Sequence, residues 1–249
     1  MYRLMVADFN RLLNRKVLYV PHFIYFLVLD IIYTIVCNMK TSEELYFSAD
    51  ILYTDNSTYI PLFLAVFAGT FLIDDFKDGI LRNKIISGAK RIEIVLSHAV
   101  VMCVYAFFMN ATIHLMGLAF GGFFRNGYYS TQRTLLTYTL VHLGSSVALV
   151  LFYMCLIYLF CEFRFAAFIP LAVAIASKVV SFIITYDLYN RALSDRTFRL
   201  FNFLDGHMPS SYLVSTLRHG TAEYFPTCIA FTVCSLLITG IYFQLKDIK

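Results

Sequence analysis

The sequence predicts an all-α membrane protein with six transmembrane helices, and three observations predict it. Of the 249 residues, 59% are hydrophobic and only 14% charged, with a mean hydropathy of +0.70, far too apolar for a soluble domain of this length. Five apolar runs are long enough to cross a hydrocarbon core of roughly 30 Å: Val17 to Cys37, Ile94 to Phe120, Leu135 to Phe160, Phe165 to Tyr186 and Tyr224 to Phe243. A sixth, Tyr59 to Ile73, is shorter. Lysine and arginine, finally, crowd the segments on one side of these runs.

Residues 1–16 come first, as an amphipathic helix with Met5, Phe9, Leu12 and Leu13 on one side and Asp8, Arg11 and Arg15 on the other. It is expected to lie in the membrane interface. The first run is too long for a signal-peptide core and lacks a small-residue cleavage site, so it reads as a retained span. The loop Asn38 to Thr58 is acidic, with Glu43, Glu44, Asp50 and Asp55 against Lys40, and reads as a solvated surface. At about 1.5 Å per residue the short second run must recruit Ser57, Thr58 and Asp74 to Phe76 to complete its crossing.

Residues 76–91 then form a basic insert. Asp78 is placed to cap a short helix from Ile80 to Ser87, and Gly88 is placed to stop it. Three further spans follow. Residues 187–223 are too apolar for a plain loop: Phe198, Leu200, Phe201, Phe203 and Leu204 cluster, and Pro209-Ser210-Ser211 signals another helix start before Tyr212, Leu213, Leu217 and Gly220. Short re-entrant helices dipping from the outer surface are the economical reading, because irregular backbone at membrane depth must be shielded. The last span closes a single domain, residues 1–249, with no internal repeat.

Short loops rich in lysine and arginine stay in the cytosol. Twelve such residues fall on the side of the termini, among them Arg3, Lys77, Arg82, Lys84, Lys90, Arg91 and Lys246, against Lys40, Arg125 and Arg133 in the opposite short loops. Both termini are therefore expected in the cytosol. The net charge of +4 matches attraction to an anionic inner leaflet and gives no sign of nucleic-acid binding.

None of the eleven glycines is followed by lysine, so the chain has no phosphate-binding P-loop and any ATP-driven work needs a separate subunit. Asp75-x-x-Asp78-Gly79 resembles the opening of the magnesium-binding signature of membrane phosphatidyltransferases, but the next aspartate is Asp187, on the far side of the membrane. His98, His114 and His142 lie within spans without zinc-peptidase spacing and read as interhelical hydrogen-bonding groups. The six cysteines, at spacings that fit no metal or redox motif, read as core packing. Asp30 and Lys178 are ionisable groups inside spans, and such groups are usually paired or functional. Either they pair, or Lys178 snorkels to the surface.

The insert resembles the corresponding segment of ABC transporter permeases of the type-2 exporter class. In that family an acidic residue and a glycine precede a cytosolic coupling helix, and a glycine and a basic residue lead into the third span. Here these are Asp75, Asp78 and Gly79, then Ile80 to Ser87, then Gly88, Lys90 and Arg91. The likeness extends to the interfacial helix, the six spans, the re-entrant region and the basic tail.

The resemblance implies a plasma-membrane permease subunit that is not itself an enzyme and carries no cofactor or metal. It implies a second permease, identical or homologous, and two copies of an ABC ATPase that bind ATP and Mg. Residues expected to couple to that ATPase are Asp78, Gly79, Ile80, Leu81, Arg82, Lys84, Ile85, Gly88 and Arg91. A small permease with 43 Phe and Tyr residues suits an amphipathic peptide or hydrophobic compound as exported substrate. The alternatives are a stand-alone secondary transporter or channel, for which no inverted symmetry of broken helices is visible, and a membrane-embedded phosphotransferase.

Overall fold

A computed structural model describes residues 1–14, 16–39, 49–77, 79–121, 132–162, 165–190, 195–209 and 224–246. Among these the chain is all helix, without strands. The helices are α1 (Tyr2–Asn14), α2 (Lys16–Met39), α3 (Ala49–Lys77), α4 (Ile80–Ile86), α5 (Arg91–Gly121) and α6 (Gln132–Phe160), then a 3₁₀ turn (Ala166–Phe168), α7 (Ile169–Asn190), α8 (Asp195–His207) and α9 (Tyr224–Leu245).

Five helical stretches among the described residues are long and apolar enough to cross a membrane: Tyr59–Lys77, Arg91–Met116, Thr139–Phe160, Ala166–Ile184 and Phe225–Leu245. The first expected span folds as helix α2, whose described apolar stretch is Val20–Ile32. At about 1.5 Å per residue that stretch alone is shorter than a hydrocarbon core.

Two boundaries differ from expectation. Helix α3 starts at Ala49, so the second half of the expected outer loop is helical, and residues 40–48 lie outside the described residues. Residues 49–58 contain neither glycine nor proline, so backbone hydrogen bonding carries the helix past the apolar boundary. In the expected re-entrant region, α8 takes up Asp195–His207, thirteen residues against α7 with Leu200 and Phe203 exposed. The second helix start, from Ser210 onward, lies outside the described residues.

Helices α3, α5 and α6 pack on one another and form the centre, with α2 laid against α3 and α5, α9 against α5 and α6, and α7 against α3. Their contacts bury Phe67, Phe71, Tyr105, Tyr153 and Tyr158 almost completely. Phe67 stacks on Tyr105 with ring centroids 3.5 Å apart, and the Tyr105 hydroxyl meets His22 Nδ1 of α2 at 2.6 Å. Small residues bring backbones together: a Cβ on Gly69 of α3 would run into the carbonyl oxygen of Ala167. The described cysteines are free thiols, of which Cys155 and Cys228 are buried.

Helix α1 packs on α5 with a face different from the expected one. Asp8 and Leu12 are buried while Leu13 is 53% exposed, so the helix is rotated to send Asp8, placed on the outer side by hydrophobic pattern, into the protein. The reason lies in what Asp8 meets there.

Candidate functional site

Helix α3 ends at Lys77, and Gly79 adopts φ 65°, ψ 14° at the cap of α4 without a side-chain cap bond. Asp78, the expected cap, lies outside the described residues. The left-handed turn, accessible to glycine at little cost, folds α4 back against α3 and α5. At the other end Gly88 has φ 91°; its N–H donates to the Ile85 carbonyl at 2.9 Å and the Ala89 N–H to the Lys84 carbonyl at 3.1 Å. This pair of bonds is a Schellman stop, as the glycine position predicted.

Two turns of helix between fixed ends leave α4 little freedom in which face it shows. Leu81, Lys84 and Ile85, spaced three and four apart, turn inward: Leu81 is 2% exposed and Ile85 packs on the main core. Arg82, Asn83 and Ile86 turn outward, Ile86 being 72% exposed. The apolar residues of α4 thus divide into an inner and an outer set.

Lys84 reaches the middle of a buried polar cluster. Its Nζ lies 2.8 Å from Asp8 Oδ1 of α1, 3.0 Å from Asp75 Oδ2 of α3 and 3.2 Å from His98 Nε2 of α5. Arg11 of α1 pairs with the other oxygen of Asp75, donates to the Phe71 carbonyl at 3.4 Å and lies over the Phe71 ring at 4.0 Å. Ser97 donates to Asp8 Oδ2 at 2.7 Å. His98 Nε2 approaches Asp75 Oδ2 at 2.9 Å, and its Nδ1 meets the Tyr158 hydroxyl of α6 at 2.6 Å. An ionised carboxylate only accepts, so Nε2 carries the proton toward Asp75 and Tyr158 donates to Nδ1.

Two carboxylates therefore face the Arg11 guanidinium and the Lys84 ammonium, with a neutral imidazole joining them to α6. Asp8, Asp75 and His98 are each at most 2% exposed. Such a set is tolerable in a low-dielectric interior only because each charge has a partner. Burial pushes the Asp8 carboxyl up, but the Lys84 ammonium and the Ser97 hydroxyl hold it below the usual 3.8. Burial draws the Lys84 ammonium down, with Arg11 acting the same way against the pull of Asp8. One oxygen or nitrogen each from Asp8, Asp75 and His98 lie within 4.8 Å of one another, a separation that suits a metal ion. The Lys84 ammonium touches all three and stands where that cation would stand.

The remaining residues singled out in the insert have other tasks. Arg91 donates to the carbonyls of Phe243, Gln244 and Lys246 and so closes the C-terminus of α9. Ile80 is half-buried and Arg82 exposed. Asp30 is fully buried in α2 and Lys178 half-buried in α7. Of the histidines, His98 bonds across helices, whereas His114 Nδ1 meets the Asn110 carbonyl of its own helix at 2.7 Å.

Asp8 and Arg11 were missed as site residues. The available signal was an Asp and Arg three apart on a helix otherwise rich in apolar residues, together with a lysine in the insert and a histidine in a span. Pattern alone assigns such charges to water. Set against protein-family models and curated proteins, the chain matches none.

Proposed function

We propose that this chain is the permease subunit of an ATP-driven type-2 ABC exporter, moving an amphipathic peptide or hydrophobic compound outward. In this reading it lies in the plasma membrane with both termini cytosolic and pairs with a second permease, identical or homologous. Two separate ATPase subunits supply ATP and Mg. The observation that carries it is the anchoring of α4 through Lys84. A push on that short helix is delivered to α1 through Asp8 and to two membrane-crossing helices through Asp75 and His98. Apolar contact through Leu81 and Ile85 alone would let it slide; the two charge-assisted bonds of Lys84 to Asp8 and Asp75 fix its register.

The face left for a partner is the outer one, Arg82, Asn83 and Ile86, while Leu81 and Lys84 serve the fold. Burying Ile86 against an ATPase contributes roughly 1.5–3 kcal/mol. With the cognate ATPase co-expressed, Asn83→Ala with Ile86→Ser is expected to abolish substrate-stimulated ATP hydrolysis while expression and melting temperature stay unchanged. Normal export by that double variant would remove α4 from the coupling path.

A second reading has its own support. The buried chain Asp75, His98, Tyr158 resembles a proton relay, a group that stand-alone transporters place inside membranes. Reconstituted vesicles separate the two: transport by this chain alone, driven by a proton gradient without any ATPase, would favour the second.

A further inference from the structure

Asp75 also lines a cavity of about 780 Å³. Its walls come from the ends of three membrane-crossing helices and from α4. Lys77 ends α3, Cys161 and Glu162 follow α6, Lys246 follows α9, and Arg82 rises from α4. Because these residues stand where the spans stop, the cavity lies at the level of the membrane surface. Phe76 and Phe243 supply an apolar wall.

The lining is electropositive. Lys77, Arg82 and Lys246 bring three cations against the carboxylates of Asp75 and Glu162. Asp75 is already held by Arg11, Lys84 and His98 and offers little to a further cation. Glu162 bridges Lys246 at 3.0 Å, but its side chain is 76% exposed, so it is a counter-ion that swings away at small cost. Lys246 is fixed more firmly: its Nζ also meets Cys161 Sγ at 2.9 Å and lies 5.4 Å from the Tyr242 ring. Burial draws its ammonium down, yet the contacts with Cys161 and Glu162 outweigh this and hold it charged.

We infer that this cavity binds the phosphate headgroup of an anionic phospholipid between α3, α4, α6 and α9. Lys77, Arg82 and Lys246 take the phosphate, and the acyl chains leave along the lipid-facing side of α9. Exposed Ile238, Ile241 and Leu245 on that helix provide an apolar track leading from the cavity's level into the membrane. Basic pockets between helix ends on the cytosolic side are suited to such headgroups, because the inner leaflet carries the negative lipids. The inference rests on the basic end of the bundle facing that leaflet, and not on the exporter reading.

The test uses the purified full chain in neutral detergent, with native mass spectrometry against added phosphatidylglycerol, phosphatidylcholine and, separately, inorganic phosphate. Phosphatidylglycerol is expected to be retained at least tenfold over phosphatidylcholine. Each of Lys77→Gln and Arg82→Gln should lower that affinity about fivefold, the equivalent of roughly 1 kcal/mol per cation at a membrane surface. Both side chains are exposed, so the variants should fold. Glu162→Gln should raise the affinity, a gain that misfolding cannot imitate. Equal retention of the two lipids, or unchanged affinity in all three variants, would overturn the inference. Binding of free phosphate as tight as the lipid's would assign the site to a soluble anion instead. Loss of ATPase coupling bears on the exporter reading and leaves this result untouched.

Discussion

Lys84 joins α4 to three other helices at once. Its ammonium donates to Asp8 of α1 and Asp75 of α3 and lies 3.2 Å from His98 of α5, so its removal leaves Arg11 as the one remaining permanent cation beside two carboxylates. Breaking a buried ion pair by deleting one partner typically costs about 3–5 kcal/mol, while deleting both charges together is often close to neutral. Lys84→Met is therefore expected to lower the melting temperature sharply in detergent, and Lys84→Met with Asp8→Asn to recover much of the loss. Strict additivity in that double-mutant cycle would show the two to be independent. The pH dependence has a definite sign. The Asp8 carboxyl is held below the ordinary 3.8 in the folded protein, so its contribution is complete above that value. It declines as the pH falls through 3.8, where the unfolded chain takes up its proton first. Melting temperature should drop between pH 5 and about pH 3, and Asp8→Asn should flatten that drop. A wild-type curve no steeper than the variant's would contradict the assignment.

At the scale of elements, close approach of backbones decides how α3 sits. Gly69 lets the 3₁₀ turn before α7 rest directly on α3, with the Ala167 carbonyl occupying the space a side chain would need. Gly69→Ala is expected to destabilise by about 1–3 kcal/mol, since overpacked backbone has nowhere to yield. The readout is the melting temperature, with Gly144→Ala as control because a Cβ there meets open space. Equal effects of the two would refute the contact. Helix α4 illustrates a different rule. Seven residues are too few for a stable isolated helix, and it persists because a left-handed glycine at each end and a charged contact in the middle hold it.

Across the whole molecule, burial is uneven. The stretches Tyr59–Lys77 and Thr139–Phe160 are each 61% buried, against 17% for Ala166–Ile184 and 28% for Phe225–Leu245. The last two present their apolar sides outward, to lipid or to the second permease of the proposed assembly. Asp30 and Lys178 belong to this scale. Each stands thirteen residues into its expected span, about 20 Å along the helix, and α2 and α7 both flank α3. A pair within one chain or across two is proposed. Asp30→Asn or Lys178→Met alone should then impair folding yield more than the double replacement, because each single change strands a charge at membrane depth. Additive losses would mean that the two charges have separate partners.

The sequence by itself determined the membrane class, five of the crossing helices to within a few residues, and the position of α4 between two glycines. These follow from properties that act locally: apolar run length against bilayer thickness, and the φ that only glycine adopts cheaply at a helix end. It also marked His98 as a group needing a partner. Tertiary structure alone decided which way α1 and α4 face. Hydrophobic pattern put Asp8 in water and left Leu81, Ile85 and Ile86 equivalent, because periodicity weighs apolar residues and treats every charge as solvated. Asp8 is buried because Lys84, Ser97 and His98, 76 to 90 residues further along the chain, converge on it. No local signal encodes that convergence, since a buried charge becomes tolerable only when its partners arrive from other helices.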